Sequence, residues 1–394
     1  MPSAFPSALL ASGRPLTLRG SGHSCDGQTV TDGELLVTYA PEVSGRQIHD
    51  LGDGLFEVPA GASWYVVERH LNQRSRSFPV LPNHLHMSVG GTLSVGGVGI
   101  DSVRYGMQVD HVQRIQLIDG TGASRWCSRD EHGELFRFAL GGLGLVGLIE
   151  RVVLRTVPYR IFSYLRHHEH SDLTALVAHT QQVARRSDVD VFYGLVRDGV
   201  TTSVSGWRGE HPESFAAGEL TIVPDLSFTG QSDVTAPGFE RPGHIHLWAD
   251  YVVPIEQLAP MTTAVAAVQG RSPLKHCAVM IYILMLRRRA DAPSFAFGPV
   301  GTAPVSVGVG IYVLTTEESH ETSAVRGEFR ELLTVCCAVG GRPYLYGTAD
   351  PDRRQLGQLY GADLERLAWL RRNFRLEHVN SHVRLAEAAH SLRW

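Results

Sequence analysis

Short apolar runs interrupted by polar positions recur along the first 158 residues, the pattern of half-buried strands. Strands are predicted at 15–18, 35–39, 55–58, 112–118 and 148–157, with turns at Pro59-Ala60-Gly61 and Asp119-Gly120-Thr121-Gly122. Helical spacing breaks the pattern twice. Ser63 stands where an N-cap belongs ahead of 64–71, with Glu68 in the body of that helix. Residues 130–140 place Leu135, Phe136, Ala139 and Leu140 on one face. From about Tyr159 the apolar runs lengthen: strands at 189–196, 201–207, 245–253, 278–286 and 305–315, and helices at 172–186, 255–269 and 317–335. This alternation predicts an antiparallel sheet carrying helices on one face, and the fold class is therefore α+β. The segment 229–243 is the most loop-like, His167-His168-Glu169-His170 reads as a solvated loop, and 365–375 as a basic-rimmed helix.

Composition narrows the function classes. The chain has 394 residues, enough for two lobes, with 43% hydrophobic and 19% charged residues. A net charge of -4 gives no electrostatic footprint for nucleic acid or an anionic membrane surface. The longest apolar run, 278–286, is too short for a membrane span, and the N-terminus lacks the basic and apolar regions of a signal peptide. The five cysteines (Cys25, Cys127, Cys277, Cys336, Cys337) have no framework spacing and read as reduced thiols of a cytoplasmic protein.

The candidate chemistry lies in three glycine-rich stretches. Arg19-Gly20-Ser21-Gly22-His23-Ser24, followed by Gly27-Gln28, is a turn with one imidazole at its apex, and its glycines let backbone N–H groups approach an anion such as a pyrophosphate. Residues 88–99 (Ser-Val-Gly-Gly-Thr-Leu-Ser-Val-Gly-Gly-Val-Gly) are too glycine-rich at 90–99 for helix or regular strand and suit backbone laid along a flat ligand. The third stretch, 135–149, contains Gly142-x-Gly144-x-x-Gly147. That spacing matches a dinucleotide fingerprint, but a helical pattern precedes it and a strand follows, the reverse of a Rossmann loop.

In this order the three stretches resemble the vanillyl-alcohol oxidase (PCMH-type) superfamily of FAD-linked oxidases, in its cytokinin dehydrogenase and berberine bridge enzyme-like branch, closely over 13–158 and faintly to the C-terminus. The resemblance implies a two-lobed protein: an FAD-binding domain at 1–158, a substrate domain at 159–335 and a return to the first domain at 336–394, where 340–347 and 360–364 look like the closing segment. It implies FAD bonded covalently through His23. It also implies contacts from Arg19, Gly20, Ser21, Gly22, Ser24, Gln28, Gly90, Gly91, Thr92, Ser94 and Gly97, with Ile149 near the adenine end. A cysteinyl second link is not expected, because Gly96-Gly97-Val98-Gly99 holds no Cys.

The chain also departs from that pattern. A strand-rich unit that family members carry ahead of the histidine loop is largely missing, and Leu376-Glu377 and Asn380-Ser381-His382 stand where the family has Asp-Pro and Ser-Pro-Gly-Gln. Asn83 stands where the branch has a catalytic Asp, and an amide cannot hold a proton at neutral pH. His84 or His86 is the candidate proton acceptor in its place. His84-x-His86 and His244-x-His246 would each share a strand face, but no third ligand is spaced to complete a metal site. Trp207, Trp248, Tyr251, Tyr282 and Tyr312 are expected in the core, with alternate ones able to face the flavin, and Arg287-Arg288-Arg289 is expected at the surface. Two functions follow, with a binding protein that has lost its flavin chemistry as a third. One is oxidation of an apolar small molecule by hydride transfer to flavin N5. The other is a redox-neutral cyclase on the same scaffold, such as a cycloaddition catalyst of polyketide assembly, which needs shape and desolvation rather than a base.

Overall fold

The structure, a computed structural model, describes residues 4–31, 33–39, 45–211, 220–229, 243–271, 274–316 and 319–391. Most of the expected loop at 229–243 lies outside the described residues.

Two antiparallel sheets organise the chain. The smaller has five strands in the order His49–Asp50, Leu55–Pro59, Leu148–Arg155, Val112–Ile118, Ser124–Ser128. Leu148–Arg155 pairs on both sides and is buried over most of its length, which is why it reads as a nearly unbroken apolar run. The larger sheet has eight strands in the order Thr221–Pro224, Phe162–His170, Val200–Gly209, Val191–Arg197, Ala278–Arg287, Val305–Thr316, His244–Pro254, Arg342–Pro343. Helices Leu173–Ala184, Leu258–Gln269 and Ser319–Ala338 cover one face of it. Leu176, Met261, Val265, Phe329 and Leu333 pack there against Ile281, Ile283, Val307, Val309 and Ile311.

The period-2 alternation of strands sends the intervening residues to the opposite face. On His244–Pro254, Leu247, Ala249, Tyr251 and Val253 join the helix-side core, whereas Trp248 and Tyr312 pack with Met280 and Leu314 on the other side. Val252 and Leu286 also point that way, into the cluster that holds the five-stranded sheet. The uncovered face of the large sheet therefore looks toward the small one. Tyr251 is core, its hydroxyl donating to Phe329 O at 2.7 Å.

Several local expectations change. Val89–Leu93 is a short helix rather than irregular backbone; its turn is held from inside by Trp64, whose indole N–H donates to Thr92 Oγ1 at 2.8 Å. His167–His170 is not a loop but the end of strand Phe162–His170, in register with Thr201–Val204. That pairing puts His168 and His170 on one side, where both rings meet His179 of the covering helix at 4.5 and 5.2 Å. His84 and His86 lie in a turn, not on a strand. The helix expected at 365–375 is the second half of Arg353–Asn373, which breaks at Gly361. Strands Ser124–Ser128 and Thr221–Pro224 had no clear alternation to announce them. Among the described residues the cysteines are free, and no helix is long and apolar enough to cross a membrane.

One buried imidazole predicts a pH dependence. His111 is 3% exposed, its Nε2–H donates to Tyr105 O at 2.8 Å, and burial lowers its pKa from 6.5 to about 4. Between those values the unfolded chain takes up a proton that the folded one refuses. Stability therefore rises with pH from 4 to 6.5 and is level above, by up to about 3 kcal/mol from this group. Urea unfolding of wild type and His111→Gln across pH 4–8 is the check: the two profiles should diverge only below 6.5, and parallel profiles would refute the assignment.

Candidate active site

A groove opens where three chain segments meet. Leu16–Arg19, paired in parallel with Leu35–Thr38, delivers Gly20–Ser24 as the first wall. Gly22 has φ +78°, a conformation L side chains rarely adopt, and its Cα faces the Arg19 guanidinium so closely that a Cβ would sit 2.3 Å from Nη2. Ser88 to Val95 forms the second wall and Leu143 to Ile149 the third. The groove holds about 950 Å³ of empty space, part of it open to solvent.

Of the expected contacts, Arg19, Gly20, Ser21, Gly22, His23, Ser24, Gln28, Gly90, Gly91, Thr92, Ser94 and Ile149 all line this groove. Gly97 is not among its lining residues. Its N–H donates to the Tyr344 hydroxyl at 3.1 Å, and a Cβ there would lie 2.0 Å from Gln108 Oε1, so close packing accounts for that glycine. Asn83, His84 and His86 are not among its lining residues. The His84 ring lies 5.0 Å from that of His23 and 5.5 Å from that of His86, and Ser21 Oγ donates to His86 O at 3.1 Å.

Residues not anticipated complete the walls, chiefly Tyr39, Leu143, Tyr346 and Asn380. Asn380 ties the first wall to the third: its Oδ1 accepts from Leu18 N at 2.7 Å and its Nδ2 donates to Leu143 O at 3.0 Å. Tyr346 belongs to a segment that clamps the histidine loop. Gln28 Nε2 donates to Leu345 O and Tyr346 O at 2.9 and 3.2 Å, Cys25 N donates to Tyr346 O at 3.0 Å, and Thr348 Oγ1 donates to Cys25 O at 2.9 Å. A Tyr within Gly341-Arg-Pro-Tyr-Leu-Tyr-Gly347 was the available sequence signal, but its partner was more than 300 residues away.

The electrostatics keep the imidazoles neutral. Burial lowers the pKa of His23 first, then the neighbouring His84 and the Arg19 cation; burial and His86 lower that of His84. A neutral imidazole keeps a lone pair, the requirement for a nucleophile. Ser88 Oγ is buried in the groove wall with no partner within the protein, although a buried hydroxyl ordinarily has one. Gly20 packs over it: a Cβ would lie 2.2 Å from that oxygen.

A groove of turns and glycines with one imidazole and unspent polar atoms is the architecture of a dinucleotide site that holds its ligand by backbone. Residues 7–128 match the family model described as an FAD binding domain. Over these matched stretches the chain is similar to PCMH-type FAD-linked oxidoreductases of the cytokinin dehydrogenase-like branch. It is 38% identical over 140 residues to an uncharacterized oxidoreductase, ORF5 of the fasciation locus, from Rhodococcoides fascians, covering 36% of this chain and 31% of that one. It is 28% identical over 240 residues to cytokinin dehydrogenase 4 of Oryza sativa subsp. japonica (59% of this chain, 42% of that one) and 34% identical over 182 residues to cytokinin dehydrogenase 2 of Arabidopsis thaliana (44% and 35%). The matched stretches span less than half the length of these relatives.

FAD fits the residues present. The unpartnered Ser88 hydroxyl can donate to a phosphate oxygen, and the Gly20 surface leaves room for it. Gly20→Ala should drive a methyl against the Ser88 hydroxyl and spoil that donor. The expected result is a severalfold loss of flavin incorporation, read as the ratio of 450 nm to 280 nm absorbance in purified protein. A wild-type ratio would mean the groove is not the cofactor site.

Proposed function

We propose that this protein is an FAD-linked oxidase or dehydrogenase of a small apolar molecule in specialised metabolism, with the cofactor tethered through His23. Residues 1–158 and 336–394 form the flavin-binding part, and 159–335 the substrate part. The observation that carries this reading is the groove itself: His23 stands in a wall of glycines, kept neutral by burial, directly beside a second neutral imidazole, His84. Bound FAD supplies a two-electron acceptor at N5, and the tether would hold it and raise its potential. The substrate would lie between the groove and the uncovered face of the eight-stranded sheet, where Trp248, Tyr282 and Tyr312 offer an aromatic wall that excludes water. The named activity of the plant relatives makes cytokinins the first compounds to try.

Asn83 favours a second reading, a redox-neutral cyclase, since its amide removes the proton acceptor expected beside the cofactor. Anaerobic mixing with candidate substrates separates the two. Bleaching near 450 nm supports oxidation; a product of unchanged mass formed without bleaching supports cyclisation.

A further inference from the structure

We propose that Asp250, gripped by the phenol of Tyr346, is the group that receives the substrate's proton. This rests on the oxidative reading above and supplies what Asn83 cannot.

Position comes first. Leu247, Ala249, Tyr251 and Val253 turn into the helix-side core, so Asp250 is carried on the opposite face of the same strand, toward the groove. Tyr346, which lines the groove with His23, donates its hydroxyl to Asp250 Oδ2 at 2.7 Å. Backbone bonds fix the register between the two: Tyr344 N donates to Asp250 O at 2.9 Å and Thr348 N to Trp248 O at 2.6 Å. The same segment holds Cys25, two residues after His23, and the Asp250 charge is felt at that thiol. The carboxyl is thus bound by one rigid piece of chain to the histidine loop.

The surroundings suit proton exchange. Across the strand pair stands Gly310, in register with both Asp250 and Tyr282; a Cβ there would lie 2.3 Å from Asp250 Oδ1. The missing side chain makes room for the second carboxylate oxygen on that flank. The groups that face Asp250 are neutral: Tyr346 as its hydrogen-bond donor, Trp248 beside it, and Tyr282, Tyr344 and Cys25 around them. Among the described residues no ion pair includes it, whereas Asp26, of the histidine loop, is paired with Arg326 at 2.8 Å. Burial raises the pKa of Asp250 to about 6, with Tyr346 and then Trp248 pulling it back toward the usual range. A carboxylate that is ionised at neutral pH yet close to accepting a proton is matched to general-base work. Glu68 is also buried with a raised pKa, but both its oxygens are used structurally, on Ser77 Oγ and Phe78 N.

With FAD as oxidant the step balances. The substrate's C–H hydrogen leaves with both electrons to the flavin, the proton on the adjoining nitrogen or oxygen passes to an Asp250 carboxylate oxygen, and the C–N or C–O bond becomes double.

The test compares holoprotein of wild type, Asp250→Asn and Tyr346→Phe. Trp248 adjoins the carboxyl, so tryptophan fluorescence titrated over pH 5–8 should show a transition near 6 in wild type. Asp250→Asn should abolish it, Tyr346→Phe should move it upward by removing a donor to the charged form, and Trp248→Phe should silence the reporter. Anaerobic bleaching by a cytokinin, or by a panel of allylic and benzylic amines and alcohols, should slow about 10²–10⁴-fold in Asp250→Asn at unchanged flavin content. A wild-type bleaching rate in Asp250→Asn overturns the role of Asp250 and leaves the oxidative reading standing. Absence of the fluorescence transition from wild type also overturns it. A wild type that titrates but is bleached by none of the panel defeats the oxidative reading, and the proton-acceptor role falls with it.

Discussion

His23→Ala yields a colourless pellet after acid precipitation, while wild type yields a yellow one. The expectation follows from the only imidazole that lines the groove among the described residues. Acid unfolds the chain and releases any flavin held by backbone contacts alone, so colour that survives must be bonded to a side chain. Three influences suit His23 to be the attacking group: its burial, the neighbouring His84 and the Arg19 cation each disfavour its protonated form. The glycines at 20 and 22 leave that ring as the bulkiest group of its wall. The measurement is the absorbance of the redissolved pellet near 450 nm, with the supernatant read in parallel. Native His23→Ala keeps some flavin in the groove, since Gly20, Ser88 and Gly90 are untouched, and gives it up to the supernatant. A yellow pellet from the variant would place the bond on another side chain.

Arg208→Met lowers folding stability by about 3–5 kcal/mol, the largest stability effect expected here, because it strands a buried carboxylate. Asp101, 3% exposed, receives both Nε and Nη2 of Arg208 on Oδ1, at 2.9 and 2.6 Å. Burial pushes the Asp101 pKa up and Arg208 pulls it down, so loss of the guanidinium leaves only the penalty. Asp190 extends the network, accepting from Arg208 N at 3.0 Å and pairing with Arg104 at 2.9 Å. These contacts join the segment after Gly99 to strand Val200–Gly209, and Phe192 N donates to Ile100 O at 3.0 Å beside them. The network is thus a strut between the groove's second wall and the large sheet. Urea midpoints of wild type, Arg208→Met, Asp101→Asn and the double variant check it. The double variant should recover much of the loss, since the cost lies in the unpaired charge; additive losses would count against the account.

Local chemistry was legible in the chain. Ser63 caps helix Trp64–Asn72 by accepting from Val66 N, as its place before an amphipathic run predicted. Most of the longer strands announced themselves as short apolar runs, and the glycines of the histidine loop marked backbone that must come close to something. These features depend on neighbours within a turn or two, and such neighbours are written in order. What the sequence alone determined is therefore the α+β class, the periods of its elements and the groove-lining glycines with their imidazole.

The tertiary structure decided which distant residues meet. Asn83 is prominent in the sequence, yet it does not line the groove, whereas Asp250 is an inconspicuous letter in His-Leu-Trp-Ala-Asp-Tyr-Val-Val and gains its meaning from Tyr346, nearly a hundred positions later. Asn380 closes two walls at once, 362 residues from Leu18 and 237 from Leu143. His167–His170 looked solvated because its polar letters are dense, and became strand because Val200–Gly209 supplied a full ladder of partners. Strand register and the docking of one sheet against another are set by the summed packing of the whole chain, and a one-residue slip would turn Asp250 into the helix core. No local pattern contains that sum.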